Sequence, residues 1–136
     1  MQYDQFIGQV QDRAHLASRG EAERAVEATL QALSRRLTAG AAAKLGAQLP
    51  DRVGRYLSTG EGDAGRTGEQ FDSDQFIDLV AETEGVDKPA AAHHARAVLE
   101  VVGASVQGEA LGHVREQLPG DYDRLFAGSE GRMPEA

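Results

Sequence analysis

Apolar positions along this chain keep a helical period. Tyr3, Phe6, Ile7, Val10 and Ala14 fall at i, i+3, i+4, i+7 and i+11, which predicts a helix from Gln2 to Ala14. Ser18 stands three residues before Glu21, the spacing of a capping box, and so predicts the start of a second helix. That helix should reach about Leu37, with Ala22, Val26, Thr29, Leu30, Leu33 and Leu37 as its inward stripe. Gly40 marks a break, and a short third helix carries Ala42, Leu45 and Leu49. Pro50 disfavours a helical backbone at Leu49 and suits the first turn of a fourth helix, which offers Val53, Tyr56 and Leu57.

The plan is then written again. Asp4-Gln5-Phe6-Ile7 returns verbatim at Asp74-Gln75-Phe76-Ile77, and Gln48-Leu49-Pro50 returns as Gln117-Leu118-Pro119. A one-residue deletion between Val10 and Ser18 brings Ser18 onto Asp87, Leu30 onto Leu99 and Leu33 onto Val102. Two words in matching order and register predict a tandem duplication of a roughly four-helix unit, two longer and two short helices per copy. The expected layout is residues 1–57, a Gly-rich linker at 58–70, a second copy at 71–126 and a disordered tail at 127–136. In the second copy Asp72 or Ser73 caps a helix carrying Phe76, Ile77 and Val80. Asp87 caps the next, with Pro89 in its tolerated first turn, and Ala91, Ala95, Val98, Leu99, Val102 and Val106 face inward. Leu111, Val114 and Leu118, then Tyr122, Leu125 and Phe126, restate the two short helices.

Composition sharpens the class to all-α. The chain has 136 residues, 40% of them apolar, with no tryptophan and no cysteine. Alanine is the commonest of the apolar residues and the best helix former, so the core must come from close helix approach rather than large side chains. Without cysteine there is no disulfide framework and no thiolate chemistry. No apolar run is long enough for a membrane span and the first residues lack a signal-peptide plan, so a cytoplasmic location is expected. A net charge of −8 argues against nucleic-acid binding, which needs clustered Lys and Arg. The charge is uneven: residues 1–57 hold 8 basic and 6 acidic side chains, and residues 71–126 hold 4 basic and 11 acidic.

Several of these words together resemble a known family. Tyr3-Asp4-Gln5-Phe6-Ile7, the Glu-Ala-Glu-Arg-Ala run at Glu21–Ala25 and the twice-used Gln-Leu-Pro are similar to the DUF2267 family of small helical bacterial proteins, a domain of unknown function. The resemblance covers Tyr3 to Phe126 and rests on packing and capping motifs. It implies an all-helical duplicated domain and carries over no catalytic residue.

Candidate chemistry is sparse. His93 and His94 are adjacent, so they point about 100° apart on a helix and do not share one ion. Neither has a carboxylate at i+3 or i+4, and half-exposed histidines are expected there and at His113. Asp72, Asp74, Asp78, Glu82 and Glu84 lack the alternating oxygens and glycine of a calcium loop and are expected to be solvated. The linker glycines match no phosphate-binding loop, and no serine sits in a nucleophile elbow. No catalytic, cofactor-binding or metal-ligating residue is therefore assigned. Candidate partner contacts are Asp74, Asp78 and Glu82 on one helix, and Arg35 and Arg36, whose places in the second copy are Ala104 and Ser105. The expected function is a non-catalytic helical module, in a stress-related role or another, that binds a protein partner or itself. The alternative is a small-molecule or metal-binding enzyme whose site lies in the cleft between the copies, with His94 or His113 as its polar group.

Overall fold

The computed structural model describes residues 1–58, 72–106, 108–118 and 120–126; the expected linker, apart from Ser58, and the expected tail lie outside them. Among the described residues there are eight α-helices and no strand. They are α1 (Tyr3–Ala14), α2 (Arg19–Arg36), α3 (Ala39–Gly46), α4 (Asp51–Gly54), α5 (Ser73–Glu84), α6 (Lys88–Ser105), α7 (Gly108–Glu116) and α8 (Asp123–Phe126). Single 3-10 turns, Arg55–Ser58 and Gly120–Tyr122, follow α4 and precede α8.

The repeated sequence words act as helix starts. Gln5 Oε1 accepts the Gln2 N–H at 3.0 Å, and Gln75 Oε1 accepts the Asp72 N–H at 3.0 Å, so each glutamine satisfies a donor that the helix leaves open. The next two residues of each word, Phe6-Ile7 and Phe76-Ile77, are buried. Asp4 pairs with Arg19 at the start of α2, and Asp74 pairs with Lys88 at the start of α6. Both are exposed ion pairs and add little beyond orientation. Ser18 Oγ caps α2 on the Glu21 N–H at 3.2 Å, but Glu21 returns to the N–H of Ala17 rather than that of Ser18. Asp87 caps α6 on the Ala90 N–H at 3.0 Å. The break before α3 falls at Leu37, with Thr38 as cap, and Gly40 lies inside the helix instead of ending the previous one.

One core serves both parts of the chain. α1 packs against α2 and α6, and α5 packs against α6 and α2, while α3 meets α7 and α8 meets α6. Phe6, Ile7, Val10, Leu30 and Leu33 therefore share a cluster with Phe76, Ile77, Val80, Val98 and Leu99. The predicted stripes of α1, α2 and α6 are buried, with Tyr3 and Val106 at the margin. α2 is covered more widely than its stripe: Ala25, Ala28, Ala32 and Ser34 are also buried, because α1, α5 and α6 surround it. Small residues make that possible. Two backbones come close between α3 and α4, where a Cβ built on Gly54 would stand 2.5 Å from the carbonyl oxygen of Gly46.

That approach gives a direct test of close packing. Gly54→Ala forces two backbones apart and should destabilise the fold by about 1–3 kcal/mol. Gly8→Ala, exposed in α1 with no heavy atom within 4 Å of its Cβ, should instead stabilise by about 0.5–1 kcal/mol. Urea denaturation of the two variants distinguishes them by sign.

Candidate functional site

The described residues bury few ionisable side chains; Arg36 lies against Tyr122, and a carboxylate touches a histidine. Glu84 ends α5 and His94 lies in the second turn of α6. Glu84 Oε2 stands 2.5 Å from His94 Nδ1, with side-chain exposures of 3% and 10%. The sequence pattern alone places both at the surface, the carboxylate as solvated and the histidine as half-exposed. The structure corrects both, and the cause is register. Glu84 follows Phe76, Ile77 and Val80 on the inward line of α5, and His94 lies beside Ala91, Ala95 and Val98 on that of α6. The pair is ten residues apart in sequence, so a search at one-turn spacing within a helix does not reach it.

Comparison of helix positions shows how unusual this is within the chain. α1 and α5 each have 12 residues, and their last are Ala14 and Glu84. α2 and α6 each have 18 residues, and the seventh of each is Ala25 and His94. Each of the shorter helices then stops on a left-handed residue, His15 at φ 56° and Gly85 at φ 80°. Two buried alanines in the first half thus stand where the second half buries an acid and a base. The sequence held this signal, since Glu84 follows Asp74-Gln75-Phe76-Ile77 at the same spacing at which Ala14 follows Asp4-Gln5-Phe6-Ile7.

Burial dominates the electrostatics. It pushes the Glu84 carboxyl above the usual carboxylate range, while the neighbouring His94 imidazole and the Arg24 guanidinium favour its charged form. Glu84 Oε1 is buried with no hydrogen-bond partner. Beside the pair a cleft of about 220 Å³ is lined by Leu16, Glu21, Arg24, Gly85 and Val86 together with Glu84 and His94. It therefore lies where the start of α2 meets the α5–α6 corner. Arg24 is exposed at this cleft and its guanidinium has no hydrogen-bond partner among the described residues. Glu21 is tied back by the Ala17 N–H at 3.1 Å. His93, exposed, stacks toward His15 with ring centres 6.2 Å apart, and its ring centre is 6.0 Å from that of His94.

The other candidates lie apart from this cleft. Asp74 and Asp78 are exposed on α5 and share Lys88 at 2.7 and 3.1 Å; Glu82 is exposed on the same helix. Arg35 is exposed at the end of α2. Arg36 is not: it is buried, its guanidinium 5.8 Å from the Tyr122 ring centre, and it belongs to the packing between α2 and the turn before α8. The side chain of His113 lies outside the described residues. Among the described residues no three histidines or carboxylates are placed to hold a metal ion, and no helix is long and apolar enough to cross a membrane.

These features define an all-helical domain with one shared core and a buried acid–base pair at a surface cleft. The chain belongs to the DUF2267 family, whose description is "Uncharacterized conserved protein", with the match running over residues 3–125. No curated protein matches it.

The pair makes a specific demand on stability. Removing one member of a buried pair leaves the other charge uncompensated and costs about 3–5 kcal/mol. His94→Ala should therefore destabilise strongly near neutral pH. The sign with pH follows from the raised Glu84 carboxyl. A raised group stabilises the fold fully below its unfolded value, and that contribution is lost as pH rises through its folded value. Without His94 the loss is larger, so the gap between His94→Ala and wild type should shrink in acid and widen toward neutrality. Urea unfolding at both pH values checks this, and a gap independent of pH would contradict a charged partnership.

Proposed function

We propose that this chain is a non-catalytic helical binding module whose ligand site is the cleft formed by Arg24, Glu84 and His94. The observation that carries the reading is the substitution of a buried acid–base pair for two alanines at matching helix positions. A buried acid–base pair is often no more stabilising than apolar residues of the same volume. Packing alone does not call for Glu84 and His94, and an orienting role at a site accounts for their presence. The reading as a recognition site is supported by the lining, in which aliphatic Leu16 and Val86 stand beside a few charged groups, the composition of a small-ligand pocket.

A second surface supports contact with a protein partner or another copy of the chain. Asp74, Asp78 and Glu82 form one exposed acidic face of α5, only partly neutralised by Lys88, and Arg35 is an exposed cation elsewhere. Such faces chiefly speed encounter and are screened by salt. We also read the chain as a tandem duplication of residues 1–57 and 71–126, supported by the paired helix lengths and the buried Phe-Ile of each word. A cytoplasmic setting accords with the acidic, cysteine-free composition.

A fragment panel of mixed charge, screened by heteronuclear NMR on the full chain, tests the ligand site. Hits should perturb His94, Glu84 and Arg24 together and should disappear in the Glu84→Met/His94→Leu variant. Hits that map only to the acidic face of α5 would transfer the function to that surface, and binding retained by the double variant would remove the pair from it.

A further inference from the structure

The chemistry of the cleft narrows what it holds, provided that it is the ligand site. We propose that the cleft takes a small carboxylate carrying a neutral hydrogen-bond donor, the chemical class of the hydroxy acids. Two of the groups that line it can each take an atom of a ligand. The Arg24 guanidinium is exposed without a hydrogen-bond partner among the described residues, and its planar fork matches a carboxylate in bidentate fashion. Glu84 Oε1 is buried without a donor, on a side chain only 3% exposed, and an acceptor in that state is satisfied only by an N–H or O–H. A ligand that completes both carries an anion at one end and a donor at the other.

Charge decides the kind of donor. Glu84 already has His94 at 2.5 Å as its counter-group. An ammonium brought to so enclosed a carboxylate would give up its hydration at high cost. A hydroxyl supplies the missing hydrogen without adding charge. Charge also decides the kind of anion. Glu21 lines the same cleft, so a dianionic phosphate meets a like charge that a single carboxylate tolerates better. Leu16 and Val86 give the carbon skeleton an apolar wall. The volume of about 220 Å³ falls below the range of about 300–1,000 Å³ usual for drug-sized ligands, which fits a small molecule.

The test is a set of NMR titrations on the full chain, read at His94 and Glu84. Lactate and mandelate are each compared with the acid lacking the hydroxyl, propionate and phenylacetate. Lactamide removes the carboxylate, alanine replaces the hydroxyl with an ammonium, and inorganic phosphate replaces the carboxylate. At least one hydroxy acid should bind saturably, and every other probe should be at least tenfold weaker. Arg24→Gln should weaken the hydroxy acid at least tenfold with only a small change in melting temperature, because Arg24 is exposed and supports Glu84 only through its charge. Equal binding by propionate or phenylacetate would remove the donor to Glu84 from recognition. Equal or tighter binding by alanine or phosphate would overturn the class, as would indifference to Arg24→Gln. If cationic or neutral fragments perturb His94 while no carboxylate does, the class is wrong and the cleft remains the ligand site. If no compound of either panel perturbs His94, both readings fall.

Discussion

Phe6, Ile7 and Val10 share one core with Phe76, Ile77 and Val80, and that shared burial is the constraint on which the remaining structure depends. α1 lies against α2 of its own half and α6 of the other, and α5 lies against both in turn. A chain so rich in alanine has few large side chains to bury, so each helix must find more than one neighbour. Close approach follows: Ala22, Ala25 and Ala28 let α2 be surrounded, and Gly46 meets Gly54 backbone to backbone. Side chains of intermediate size at these points would hold the helices apart and uncover the phenylalanines.

Against that background Glu84 and His94 stand out. They occupy inward positions of α5 and α6, in a core that is otherwise mostly aliphatic and aromatic. Polar groups are retained in such places when every lone pair and proton is satisfied or when function uses the one that is not. Glu84 has one oxygen on His94 and the other without a donor, so the pair is half complete. The cleft beside it, with Arg24 on the surface, is where the missing donor can come from. Structure and proposed function meet at one carboxylate oxygen.

Much of this fold was legible in the sequence. The period of Phe6, Ile7, Val10 and Ala14, the caps at Ser18, Asp72 and Asp87, and the absence of strand-forming runs define the helices with small errors at their ends. Gly40 misled because Thr38 supplies a stronger helix start two residues earlier. The site was less legible for a physical reason. Periodicity reports the average face of a helix, and a charged residue on that face reads as an interruption rather than a member. Glu84 was therefore grouped with its exposed neighbours Asp78 and Glu82, although it stands in line with Val80. Arg36 was misjudged in the same way, since its partner Tyr122 comes from far along the chain. Pairings that cross between helices are fixed by packing, and no local pattern announces them.

The central claim is that Glu84 and His94 are kept for binding and not for folding. Equilibrium unfolding of Glu84→Met/His94→Leu, which replaces the pair by apolar side chains of similar volume, tests it most directly. The claim predicts a double variant at least as stable as the wild type at neutral pH, and more stable by up to about 4 kcal/mol. A double variant that loses about as much stability as His94→Ala alone would show that the pair holds the fold together, and would contradict the claim.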